Sequence, residues 1–192
     1  MSDVVISVRG EASSVVAPDV ALLACHVQTR APDKAPALAA AAGDLRTVEA
    51  ALASLGGVVA TSESRRVPLS WAASSVHTQE ESYWDRHTEQ QRPTGQIVAT
   101  VDVQVRVRDL DLLSQVGDAL AGQQSLQLGH VGWVVDDDNP AWPRVRADAI
   151  RTALQRARDY AAALGGSVTT VSQIADSGLL SHGGEQQSAS MR

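Results

Sequence analysis

The chain has few of the residues that usually fill a protein core. Its 192 residues include no phenylalanine, four tryptophans, two tyrosines and one cysteine. Valine, leucine, isoleucine and alanine must therefore supply the core, which favours close approach of backbones over filling with rings. The lone cysteine, Cys25, excludes an intramolecular disulfide and fits a reducing compartment.

Positive charge is also scarce, since 16 lysine and arginine residues face 22 acidic ones for a net charge of −6. An acidic balance argues against binding to nucleic acid or to anionic membranes, because phosphate contacts need clustered positive charge. No apolar run is long enough to cross a bilayer, so no membrane insertion is expected. The first ten residues, "MSDVVISVRG", lack the basic and apolar regions of a secretory signal, which predicts a cytoplasmic location. A signal removed beforehand would leave the same sequence.

What the sequence does contain is regular hydrophobic patterning. In "IVATVDVQVRV", residues 97–107, every second residue is apolar and most of the others are polar, which predicts a strand with one buried face. Other segments predict strands at 4–8, 20–29, 58–67, 126–135 and 167–175, and residues 20–29, largely apolar on both faces, are expected to be central. Apolar residues spaced three and four apart predict helices at 34–55, 109–121 and 141–164.

The order of these elements predicts an α+β fold. We expect a mixed, largely antiparallel sheet with two long amphipathic helices and one shorter helix packed on one face. Residues 1–175 are expected to form a single domain. Residues 176–192 are rich in serine, glycine and glutamine, a composition typical of a disordered tail.

Residues 70–96 depart from this pattern, because they are polar yet carry half of the aromatic residues. We interpret the segment as a polar hairpin excursion that bears Trp71, Tyr83 and Trp84. Aromatic side chains on polar segments are enriched at interfaces, so these three residues are candidates for an interaction site. Packing back onto their own domain and lining a small ligand pocket are the alternatives.

No residues group into a recognisable catalytic, cofactor or metal site, so we predict that the chain is not an enzyme and has no cofactor. Asp136, Asp137 and Asp138 lack the spacing of a calcium loop and are interpreted as charges at a helix N-terminus. Cys25 and His26 are neighbours on a strand and point to opposite faces. The spacing of His77 and His87 is not that of a zinc site.

The ordered set of segments resembles the SIMPL-domain family. The segments that carry the resemblance are "ISVRGEASSVVAPDVALLACHVQT", "LASLGG", "TGQIVATVDVQVRVRDLDLL" and "ADAIRTALQRARDYAAALGGSVTTVSQI". That family includes bacterial periplasmic immunogenic and oxidative-stress-defence proteins, many of them exported. The resemblance implies an α+β fold, a stress-related role and a tendency to self-assemble, and it supplies no catalytic residues.

Two functions follow as hypotheses. The first is a non-catalytic, self-assembling structural or interaction protein, a homo-oligomer whose other protein partners the sequence does not identify. The alternative is a small-molecule binding module with a cleft between the alanine-rich helices and the sheet.

Overall fold

A computed structural model describes residues 4–175, which form two compact units. The larger unit is residues 16–139, and the smaller unit combines residues 4–15 with residues 140–175. The strands are β1 (Val20–Ala31), β2 (Val58–Val59), β3 (Leu69–Ala73), β4 (His77–Asp85), β5 (Gln90–Val107) and β6 (Leu126–Val134). The helices are α1 (Lys34–Ser54), α2 (Leu113–Ala121) and α3 (Ala141–Ala163), with short 3-10 turns at Glu63–Arg66 and Leu110–Leu112.

All six strands belong to one sheet in the larger unit. The strand order is β2-β3-β5-β1-β6, and β4 pairs with β5 beside this path. The β2–β3 pair is parallel and the other pairs are antiparallel. The sheet is therefore mixed and largely antiparallel, as predicted, and with three helices it confirms the α+β class.

The two longest strands, β1 and β5, form the centre of this sheet. Side chains on one face of β5 are buried at every second position from Ala99 to Val107. The partner strand β1 repeats the pattern, with Cys25 opposite Val103. A shift of one residue would turn both apolar rows to the opposite face, so the observed register is strongly specified.

Helices α1 and α2 cover the apolar face of the sheet. Helix α1 packs on β1 and β5 through a stripe that includes Ala41 and Leu52, and α2 adds Val116 and Leu120 to the same core. The Thr29 hydroxyl on β1 donates a hydrogen bond of 2.8 Å to the carbonyl oxygen of residue 37 in α1. The small side chains of α1 let the helix approach the sheet closely, as expected for a core without phenylalanine.

In the smaller unit the N-terminal segment crosses helix α3 at Gly10. A Cβ atom at this position would collide with the Ala149 carbonyl oxygen and lie 2.8 Å from the Ala153 Cβ. Arg156 Nη1 also donates a 2.7 Å hydrogen bond to the Arg9 carbonyl oxygen. Glycine is required at residue 10 because the backbone passes so close to the helix.

Three strand predictions were wrong in whole or in part. Residues 4–8 and 167–175 have non-regular backbone. No strand within residues 4–175 pairs with them, and a local apolar pattern does not by itself form a strand. Of the strand predicted at 58–67, only Val58–Val59 forms. Beyond it the Thr61 backbone N–H donates to the Ser64 hydroxyl at 2.5 Å, which turns the chain into a 3-10 turn. The predicted disordered tail, residues 176–192, lies outside the described residues.

Candidate functional site

A hairpin extends past the end of the central strand pair. Strand β1 ends at Ala31, opposite Ile97, but β4 and β5 continue pairing with each other as far as Asp85 and Gln90. We call residues 81–96 the arm. Of the polar excursion predicted at 70–96, residues 70–73 belong instead to β3, a strand within the sheet.

The structure separates the three aromatic residues of the predicted interaction site. Tyr83 and Trp84 lie on the arm with exposed fractions of 51% and 62%. Because they are consecutive on a strand, they point to opposite faces of the arm. Trp71 is only 5% exposed and belongs to the core on β3, opposite Val105. Trp71 faces the covered side of the sheet, so packing onto its own domain describes this residue, and the proposal below uses Tyr83 and Trp84 alone.

Polar contacts fix the base of the arm. The pairing register shifts between Glu80 and Ser82, and Gly95 opposite adopts a φ of 76°, which marks a bulge. Arg30 at the end of β1 donates through Nε to the Glu81 carboxylate at 2.8 Å, and the Thr94 hydroxyl donates to the same carboxylate at 3.1 Å. These two bonds lower the pKa of Glu81. The arm therefore leaves the sheet at a defined, bonded bend.

The tip of the arm is organised around one carboxylate. Asp85 accepts hydrogen bonds of 2.9 Å from the His87 backbone N–H and the Thr88 hydroxyl, which lower its pKa. Arg92, on the facing strand, lies 3.2 Å from the same side chain. The turn is thus held by side-chain bonds, and Trp84 immediately precedes the residue that makes them.

A second polar cluster surrounds Asp136, on the face of the sheet opposite α1 and α2. Asp136 is 5% exposed and pairs with Arg106 at 2.9 Å and with Arg108. Asp19 accepts from the Asp136 backbone N–H at 2.9 Å and from Asn139 Nδ2 at 2.8 Å. These two hydrogen bonds lower the pKa of Asp19, and the bond from Asn139 has the larger effect. The acidic run after β6 is therefore bound to the polar face of β5 and to the start of β1.

The other two carboxylates of the run pair with arginines of the first 3-10 turn. Arg65 lies 2.9 Å from Asp137, and Arg66 lies 2.7 Å from Asp138. Its bond to Asp137 raises the pKa of Arg65. Interpreting the run as charges at a helix N-terminus accounts for none of these pairs. No sequence signal marked Arg65 or Arg66 as partners of these carboxylates.

An open cleft of about 460 Å³ lies beside this cluster. Its polar lining consists of Thr61, Ser62, Ser64, Arg65, Ser70, Arg106, Asp136 and Asp137. Ser70 and Arg106 are opposite each other on β3 and β5, on the sheet face away from α1 and α2. The alternative function predicted a cleft between the alanine-rich helices and the sheet, whereas this cleft does not lie between the sheet and α1 or α2. Within residues 4–175, Arg106 Nε is a buried donor without a hydrogen-bond partner.

The remaining candidates lie apart from the cleft. Cys25 is a buried core residue, and burial raises the pKa of its thiol to about 11. His26 points to the opposite face, where its Nδ1 is 3.1 Å from Asp102 Oδ1 on β5, a partner that sequence reasoning left unlocated. His77 and His87 are exposed at opposite ends of β4. Residues 4–175 contain no group of three or more histidine, cysteine or acidic side chains arranged for a metal ion.

Comparison with known proteins identifies the family of this fold. The family model described as SIMPL, protein of unknown function (DUF541), matches residues 6–192. The chain belongs to the SIMPL family. This SIMPL chain has no match among curated proteins. It is similar to a solved structure described as an unknown protein from Galdieria sulphuraria, at 20% identity and a TM-score of 0.31. The similarity covers 65% of the SIMPL chain and 55% of that protein, about half of its length.

No helix within residues 4–175 combines the length and hydropathy that crossing a bilayer requires.

Proposed function

We propose that this SIMPL protein is a non-catalytic interaction protein that self-assembles through its arm. The observation that carries the proposal is the exposure of Tyr83 and Trp84 on a hairpin that extends past the end of β1. An isolated two-stranded hairpin is marginally stable in water, so a hairpin held in shape and tipped with aromatic residues is suited to packing against another surface.

The energetics support such a contact. Each aromatic side chain still has half or more of its surface to bury. Covering that surface would contribute about 1–2 kcal/mol per residue. Because the two rings point to opposite faces of the arm, a partner must enclose the arm rather than touch one side.

The partner we favour is a second copy of the chain. An isologous dimer would use the two aromatic residues of both copies, which doubles their contribution without a new surface. The stress-related role, the cytoplasmic location and the absence of nucleic-acid binding stay predictions beside this one.

Light scattering on the purified full-length protein, at a series of micromolar concentrations, tests the proposal. We expect a mass above that of a monomer. The double substitution Tyr83→Ser and Trp84→Ser removes four aromatic side chains from the dimer, so it should weaken association by on the order of 1,000-fold or more, from the loss of about 4–8 kcal/mol.

The matched control is Tyr160→Ser on α3, because Tyr160 is 57% exposed but lies outside the arm. It should leave the mass unchanged. A wild-type protein that is a monodisperse monomer would refute self-assembly. An oligomer that the arm variant leaves intact would show that the arm is not its interface.

A further inference from the structure

The cleft beside Asp136 contains charges of both signs in equal number. Its lining includes two arginines, Arg65 and Arg106, and two carboxylates, Asp136 and Asp137. Four hydroxyl side chains complete the polar lining, and its volume of about 460 Å³ is within the range of small-molecule sites. A ligand whose own charges cancel would leave this balance of lining charges unchanged.

The two ion pairs of the cleft differ in how readily they open. The Arg106–Asp136 pair is partly buried, with side-chain exposures of 28% and 5%, and Arg108 also binds Asp136. The Arg65–Asp137 pair is exposed, at 63% and 90%. Separating an exposed pair costs only about 0–1 kcal/mol, whereas breaking a buried pair costs several times more. The buried pair thus forms a fixed wall, and the exposed pair can exchange partners.

A ligand that carries both a carboxylate and an ammonium group can replace the exposed Arg65–Asp137 ion pair by two ion pairs, one with each residue. Its carboxylate would bind the Arg65 guanidinium, a geometry suited to paired hydrogen bonds, and its ammonium would bind Asp137. Thr61 and Ser62, which directly precede the 3-10 turn that carries Arg65, add hydroxyl groups to the lining. The charge balance of the site would be the same before and after binding.

We propose that this cleft binds a small zwitterion of the α-amino-acid class. The proposal uses residues of the larger unit alone and does not depend on self-assembly through the arm.

Chemical-shift titration of the ¹⁵N-labelled full-length protein with a panel of the common L-α-amino acids tests it. Each amino acid is compared with its deaminated carboxylic acid and its decarboxylated amine at equal ionic strength. We expect at least one amino acid to give saturable shifts at residues 60–65 and 134–137. We expect it to bind at least tenfold more tightly than either singly charged analogue.

The neighbouring pair Arg66–Asp138 provides matched controls, because it is also an exposed arginine–aspartate pair but does not line this cleft. Arg65→Gln and Asp137→Asn should each weaken binding at least tenfold, while Arg66→Gln and Asp138→Asn should not change it. Amide spectra of the unliganded variants verify that each one folds.

Three results would overturn the proposal. They are saturable shifts from no amino acid, equal binding of the acid or the amine, and equal losses in the two sets of variants. The second result would indicate a simple anion or cation site, and the third would place the ligand elsewhere.

Discussion

Replacing Asp136 by asparagine removes a carboxylate that pairs with two arginines at once. Asp136 is 5% exposed, and the side chains of Arg106 and Arg108 are 28% and 26% exposed. Removing one member of a buried pair costs about 3–5 kcal/mol, because the charge that remains is poorly solvated. Here the arginines can regain some water, so we expect a loss of about 2–3 kcal/mol in the free energy of unfolding.

The adjacent carboxylates provide controls for this prediction. Asp137 and Asp138 each pair with one exposed arginine, so Asp137→Asn and Asp138→Asn should each cost no more than about 1 kcal/mol. Urea unfolding, monitored by circular dichroism, measures the free energy of unfolding of all three variants. Equal slopes of this free energy against urea concentration show that the same transition is compared. If Asp136→Asn is no more destabilising than Asp137→Asn, the argument that burial makes this pair costly fails.

Three further predictions concern single residues. Gly10→Ala should lower the free energy of unfolding, measured by thermal denaturation, by about 1–3 kcal/mol, because the new Cβ collides with α3. Gly43→Ala, at an open position in α1, should be neutral or stabilising by up to about 1 kcal/mol. Trp71→Ser should cost about 3–5 kcal/mol in urea unfolding, while Trp84→Ser should change stability by less than about 0.5 kcal/mol; similar losses would contradict the burial described. Folding raises the pKa of the Cys25 thiol from 9.0 to about 11. The stability that this shift contributes is fully present below pH 9.0 and is lost as the pH rises through about 11. The free energy of unfolding should therefore fall less steeply between these pH values for Cys25→Ala than for the wild type.

Local patterns predicted the helices and strands well where the apolar pattern extended over many residues. The helices expected at 34–55 and 141–164 form at Lys34–Ser54 and Ala141–Ala163, because several turns of one stripe constrain both ends. The alternation of residues 97–107 predicted the buried face of β5. Short apolar runs were less informative, because a strand needs a partner that its own sequence does not name. Residues 4–8 alternate and residues 167–175 carry separate apolar side chains, yet neither segment forms a ladder.

The candidate site could be predicted only in part, because it depends on contacts between distant residues. Asp136 pairs with a residue 30 positions away, and Asp137 with one 72 positions away. No local spacing carries that information. The segment around Trp84 was recognised from its composition alone, but composition does not show which face a residue occupies. Composition therefore grouped Trp71, which packs in the core, with the exposed Tyr83 and Trp84.

The continuity of β5 restricts how this protein can vary in evolution. One strand of 18 residues, roughly 60 Å long, carries the arm at one end and Arg106 at the other. Inserting or deleting a single residue between 97 and 105 would send the following side chains to the wrong faces, in conflict with β1 on one side and with β3 and β4 on the other. The turn at 86–89 has no such constraint. Relatives that differ in arm length should therefore differ at this tip, with the sheet portion of β5 kept at constant length.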